Sequence, residues 1–277
     1  MTATIANVEM AEAWNVEGED WARDWERYDS GIRGYHERLL AAAAVAPGER
    51  VLDVGCGNGQ VARDLAKSGA HAIGIDLSRP MLHRARELAA DLPGAEFVEG
   101  DAQVHAFPDS SFDVIVSRFG AMFFADRRAA FANLARSTRP GGRLALLAWQ
   151  ELAKNEWLQE IRGALALGRD LPSPPAGGPG PFGLADAEAV CADLAQAGYA
   201  EVQVAPVLEA FVPGRDAEHA YAFLGNVGVV RGLLDGLPEV DVARGRAQLK
   251  ETLVRHETGD GVVLGSASWL FTGTREA

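Results

Sequence analysis

The segment Val51-Leu52-Asp53-Val54-Gly55-Cys56-Gly57-Asn58-Gly59 has residue types and a spacing that suit a nucleotide-like ligand. Glycines at 55, 57 and 59 let the backbone turn sharply and let a ligand approach without interference from Cβ. A helix opening behind them offers unpaired N–H groups, and the expected place for the ligand is the carboxyl ends of the strands. A dinucleotide fingerprint would need its third glycine at position 60, where Gln60 stands, and no Gly-Lys-Ser/Thr follows as a P-loop requires. Asp53, two places before Gly55, makes poor sense beside a pyrophosphate. It makes good sense near the ammonium group of a cationic, amino-acid-like ligand, directly or through water. Cys56 has no histidine or basic partner close in sequence and is expected to be a packed thiol rather than a nucleophile.

These residues need elements to position them. Between residues 50 and 150, short β-rich runs alternate with helical stretches. Strands are expected at 50–54, 71–76, 95–100, 112–117 and 143–149, and helices at 60–67, 79–90 and 127–137. Strands separated by helices make βαβ units and a parallel sheet. Arg139-Pro140-Gly141-Gly142 is expected to stop a helix and turn the chain. Upstream, Trp14, Trp21, Trp25, Tyr28, Ile32, Tyr35 and Leu39 fall in steps of seven, four, three, four, three and four, one face of an amphipathic helix. Gly18, Gly31 and Gly34 suggest that it is broken into pieces. Downstream, helices are expected at 155–167 and 186–196, an irregular Pro/Gly loop at 172–183, and strands at 199–212 and 262–272. Two helices, around 216–235 and 240–256, fill the space between those strands.

The glycine segment resembles motif I of the class I S-adenosylmethionine-dependent methyltransferases, and the rest of 50–150 agrees. Gly74-Ile75-Asp76-Leu77-Ser78 is similar to the family's second motif, whose acid binds both ribose hydroxyls. Gly100-Asp101-Ala102 is similar to the third, whose acid meets the adenine amino group. Phe107 to Asp113 and Arg139 to Leu144 resemble the stretches leading into strands four and five. The subgroup resembled is that of the ubiquinone and menaquinone biosynthesis methyltransferases. The resemblance implies an α/β Rossmann-like sheet of seven strands, order 3-2-1-4-5-7-6 with strand 7 antiparallel. It implies S-adenosyl-L-methionine as cofactor, S-adenosyl-L-homocysteine as product, and a cofactor site of Asp53, Gly55, Cys56, Gly57, Gly59, Asp76, Leu77, Met81, Asp101, Ala102, Gln103, Ser117 and Arg118.

The same topology places a substrate cavity. Residues 47–212 and 262–277 would form the core, 1–46 a helical cap and 213–261 a helical lid. The lining expected is mostly apolar: Trp21, Tyr28, Phe119, Met122, Phe123, Phe124, Trp149, Trp157, Phe182, Tyr221 and Phe223, which suits a small, partly hydrophobic acceptor. A sulfonium donor needs an aligned nucleophile and dry surroundings more than an acid or base. Where a base is needed, His219, Tyr221, His256, Tyr28 and His36 are the candidates. A methyltransferase acting on oxygen, nitrogen or carbon of a metabolite is the expected function. The alternatives are an aminopropyltransferase-like enzyme and a cofactor-binding protein without catalysis.

Charge narrows the partners. The net charge is −13, with lysine only at Lys67, Lys154 and Lys250, and residues 1–46 alone carry nine acids against four arginines. Such a surface repels phosphate backbones, and no Asn-Pro-Pro-Tyr-like motif follows strand four, so nucleic acid is not the expected substrate. The six histidines lack metal-ligand spacing, so no metal is expected. Two cysteines suit a reducing cytoplasm. The first residues show no secretion signal, and an apolar run of eight residues, Leu39 to Ala46, cannot cross a bilayer. A monomer or homodimer is expected.

Overall fold

The apolar runs of the first half pair in parallel. In the computed structural model, which describes residues 6–173 and 177–276, β1 (Arg50–Val54) lies between β2 (His71–Asp76) and β4 (Phe112–Arg118), and β3 (Ala95–Glu99) flanks β2. β5 (Thr138–Trp149) extends the parallel set beside β4. β6 (Tyr199–Gly214) and β8 (Gly261–Arg275) complete the order β3-β2-β1-β4-β5-β8-β6, with β8 antiparallel to both its neighbours. The expected order is therefore present. An eighth strand, the two-residue β7 (Glu257–Thr258), pairs with β8 off this path. Arg139 to Gly142 form an irregularity within β5 rather than a turn before it. The β4 pairing shifts between Phe112 and Val114, and Gly141 takes a positive φ there.

Helices cover both faces, so central strands are apolar on both sides. These are α4 (Gln60–Lys67), α5 (Arg79–Leu88), α6 (Arg127–Ser137), α7 (Glu156–Ala166) and α8 (Ala187–Gln196). The starts of α5, α6 and α8 are fixed by side chains that accept an orphan N–H: Ser78 from Met81, Asp126 from Ala129, Asp186 from Ala189. Among the described residues no helix is long and apolar enough to cross a membrane.

The N-terminal stripe forms α1 (Val8–Arg23), α2 (Trp25–Gly31) and α3 (Arg33–Ala43). The breaks fall at Asp24 and Ile32, so Gly18 and Gly34 are not helix breakers. Gly18 lies inside α1, where a Cβ would collide with Ser78 Oγ; Gly34 lies inside α3, pressed on the Glu209 side chain. Both are small because another element sits against them. Between β6 and β7 the chain makes three helices where two are expected: α9 (Ala217–Leu224), α10 (Gly228–Leu234) and α11 (Glu239–Arg255). The break between α9 and α10 follows Gly225. Residues 1–5, where no secretion signal is expected, residues 174–176 of the Pro/Gly loop and Ala277 lie outside the described residues.

Arg143 on β5 ties the cap to the sheet. Its Nε donates to Ala43 O (2.6 Å) and its Nη2 to Ala44 O (2.7 Å), serving the orphan carbonyls at the end of α3, while Nη1 and Nη2 grip both oxygens of Glu49. The Arg143 guanidinium pulls Glu49 down from its ordinary 4.5 to about 2. A depressed acid stabilises the fold above its unfolded pKa, and this contribution fades as pH falls from 4.5 toward 2. Arg143→Met should cost about 1–2 kcal/mol in denaturant unfolding at neutral pH. The difference from wild type should shrink below about pH 4; an equal difference at both pH values would show that the ion pair contributes nothing.

Candidate active site

β1, β2 and β3 all run toward one rim of the sheet, and each brings an acid to it. Asp53 is the penultimate residue of β1, Asp76 the last of β2, and Asp101 stands two residues past β3. All three line one cavity of about 550 Å³. The glycine loop that closes β1 uses backbone no other residue takes easily. Gly55 has φ 64°, and a Cβ there would lie 2.6 Å from Gly120 Cα; Gly59 has φ 75°, with the Phe97 ring 2.5 Å from its would-be Cβ.

The acids are engaged by backbone donors. Asp76 Oδ2 accepts from Gly57 N–H and Oδ1 from Ser78 N–H, both at 2.8 Å, so one carboxylate joins the glycine loop to the start of α5. Burial raises its pKa, and these donors oppose the rise. Asp53 accepts from Ala62 N–H (3.2 Å) in the first turn of α4. Burial pushes it up to about 7, against the pull of the Arg118 charge and the Ala62 donor. Asp101 Oδ2 accepts from Ala6 and Asn7 N–H (3.0 Å each) and Oδ1 from Gln103 N–H (3.0 Å). One lone pair of Oδ1 is left.

Of the remaining cofactor candidates, Gly55, Cys56, Gly57, Leu77, Met81, Ala102 and Arg118 line the cavity, and Gly59, Gln103 and Ser117 do not. Gly59 caps α4. Gln103 accepts from Asp126 N–H (2.9 Å). Ser117 Oγ donates to Val54 O (2.7 Å) and accepts from Ala121 N–H, fastening the ends of β4 and β1 together. The Cys56 thiol is buried, and burial pushes its pKa well up.

The opposite wall is aromatic. Phe119 and Trp149 stack at 4.0 Å between centroids, with Tyr35 edge-on to both. Trp157 bridges Trp149 and Phe211. Trp21 packs edge-on against Tyr28 (4.5 Å) and Phe223 (5.8 Å). Such pairs add about 0.5–1.5 kcal/mol each beyond the area they bury. Phe119 holds φ 62°, a left-handed backbone that places its ring at the rim after β4. Trp21, Tyr28, Phe119, Met122, Phe123, Phe124, Trp149, Trp157, Phe182 and Phe223 all line the cavity.

Tyr221 does not line it. It sits on the side of α9 facing α11, beneath Lys250 (4.4 Å) and within reach of Arg246. His219 pairs with its own N-cap Asp216 and His256 lies 3.6 Å from Glu160, both away from the cavity. His36 is also outside. Arg118 can only donate, so its bond to His36 Nδ1 (3.2 Å) leaves Nε2–H to donate to Asp64 (3.1 Å). Tyr28 is the one base candidate on the cavity wall, and burial pushes its hydroxyl up to about 12.

Arg118 is the hub of a buried polar group. It donates to Asp29 Oδ1 (3.0 Å), Gln60 Oε1 and His36, and lies over the Tyr28 ring at 5.6 Å. Asp29 also faces Arg63 (3.6 Å). Residues on the wall that the sequence did not point to include Asn7, Glu17, Asp29, Phe211 and Arg162. Glu17 carried a usable signal: it lies on the same helical face as Trp14 and Trp21, inside the seven-residue step of the aromatic stripe.

Residues 52–146 match the family described as Methyltransferase domain. The chain is 40% identical over 112 residues to Uncharacterized protein Rv1405c of Mycobacterium tuberculosis, covering 40% of this chain and 41% of that one. It is 39% identical over 111 residues to a demethylmenaquinone methyltransferase of Clavibacter sepedonicus, covering 39% of this chain and 45% of that one. The match thus spans under half the length of these relatives. In fold it is similar to a putative methyltransferase from an antibiotic biosynthesis pathway of Anabaena variabilis, with a TM-score of 0.61, 20% identity, and coverage of 88% of this chain and 97% of that one. Over residues 52–146 the chain is thus similar to methyltransferase domains.

Proposed function

We propose that this protein is an S-adenosylmethionine-dependent methyltransferase acting on a small, partly hydrophobic molecule. The observation that carries the reading is the set of acids, buried Asp53 and Asp101 and half-buried Asp76, around a glycine-rich loop in a cavity whose far wall is aromatic. These donors and acceptors fit the cofactor. Asp76 retains lone pairs beyond its two backbone bonds, the set a ribose diol needs. Asp101 Oδ1 retains one for an exocyclic amino group, beside the Ala102 backbone. Asp53 faces the loop as a counter-charge for an ammonium. When bound, the cofactor supplies a sulfonium methyl group open to in-line attack.

The chain's own part is to bind, align and dry the reactants. Phe119, Trp149, Trp157 and Trp21 exclude water and hold an apolar acceptor, and proximity of this kind can contribute roughly 7–11 kcal/mol. The segments 1–46 and 213–261 act as cap and lid: α1 lies along α5, with Ser78 Oγ donating to Trp14 O (2.9 Å), and Phe223, Leu224 and Val227 to Val229 close the cavity from the insertion.

Two measurements test this. Asp76→Ala should weaken S-adenosylhomocysteine binding by about 100-fold or more in calorimetry, through loss of charge-assisted hydrogen bonds. Asp76→Asn should fold and bind with intermediate affinity; unchanged affinity in both would remove Asp76 from the site. The second is pH. Asp53 titrates near 7 and attracts an ammonium only when ionised. Affinity should therefore fall several-fold from pH 8 to pH 6, and Asp53→Asn should flatten that slope. An unchanged slope in the variant would assign the titration to another group.

A further inference from the structure

Five acids line the cavity among the described residues: Glu17, Asp29, Asp53, Asp76 and Asp101. Asp53, Asp76 and Asp101 surround the glycine loop, and Asp29 is paired with Arg118. Glu17 has no such use. Among the described residues its carboxylate accepts no hydrogen bond and forms no ion pair. Arg231, whose charge acts on it, is bonded to Asp20 instead.

Its surroundings are aromatic. Glu17 lies between Trp14 and Trp21 in the sequence of α1, all three line the cavity, and the two rings are 6.2 Å apart. Phe123 stands edge-on to Trp14 at 5.0 Å and Phe223 edge-on to Trp21 at 5.8 Å. From the insertion, Gly228 presents its bare Cα; a Cβ there would strike both carboxylate oxygens. Burial raises the Glu17 pKa, as expected for a charge short of solvation. Ring faces attract cations, most strongly when water is excluded. The basic residues on the wall are Arg118, already matched by Asp29, and Arg162, so the lining as a whole is acidic.

We infer that Glu17, on the cavity wall that also carries Trp14, Trp21, Phe123 and Phe223, seats a positively charged amine of the methyl acceptor. This rests on the methyltransferase reading for the word acceptor, but the seat itself is a property of the cavity. It assigns the substrate class: an apolar molecule bearing an ammonium group.

The test compares two probes of like shape, 2-phenylethylammonium and 2-phenylethanol, binding to the full chain at neutral pH with and without S-adenosylhomocysteine. Wild type should bind the ammonium about tenfold more tightly than the alcohol. Glu17→Gln should bring the ratio close to one and leave S-adenosylhomocysteine affinity and melting temperature unchanged. Equal binding of the two probes by wild type would overturn the inference. So would a preference that survives in Glu17→Gln, or a variant whose loss falls on S-adenosylhomocysteine, which would place Glu17 on the cofactor. Amine preference without any S-adenosylhomocysteine binding would overturn the methyltransferase reading and leave the seat supported.

Discussion

Asp76 holds two separate pieces of chain with one carboxylate. Its oxygens take the Gly57 N–H of the loop after β1 and the Ser78 N–H at the start of α5. Both donors would otherwise be orphans, one in a turn of left-handed glycines and one ahead of a helix. A buried acid is costly unless donors surround it, so the loop, the strand end and the helix start must be placed together. Ser78 then passes the constraint outward. Its hydroxyl donates to Trp14 O, and its bulk leaves room on α1 only for Gly18. Ser78 thus indexes the cap to the floor of the cavity, alongside Asp101, which takes the Ala6 and Asn7 N–H groups.

From that joint the cavity divides by chemistry. The floor is backbone and carboxylate, with strand ends setting the spacing of Asp53, Asp76 and Asp101. The walls are rings contributed by parts of the chain far apart in sequence: Trp14 and Trp21 from α1, Phe119 after β4, Trp149 at the end of β5, and Phe223 from α9. Arg118 stands where floor meets wall. Its charge is spent on Asp29, Gln60 and His36, so it stiffens the junction and moderates the rise of Asp53.

The sheet and the floor were legible because their signals are local. Val51 to Gly59 carries strand, turn and helix start within nine residues, Asp76 closes an apolar run, and Asp101 follows a short β-rich one. The flanks were less legible because their register is set by distant partners. Gly18 and Gly34 looked like helix breakers; they are contact points for Ser78 and Glu209. Tyr221 looked like wall, but α9 turns Phe223 inward and gives Tyr221 to Lys250. His36 looked reactive and is held by Arg118 and Asp64. Glu17 sits on the face that Trp14 and Trp21 mark, but a reading that follows only apolar residues passes over an acid there.

The central claim is that the acids at the strand ends receive a nucleoside with its ribose on Asp76. A crystal structure grown with S-adenosylhomocysteine tests it most directly. Both ribose hydroxyls should lie on the Asp76 carboxylate, with the bonds from Gly57 and Ser78 intact. A nucleoside bound away from Asp76, or an Asp76 carboxylate turned from the loop to reach it, would contradict the account.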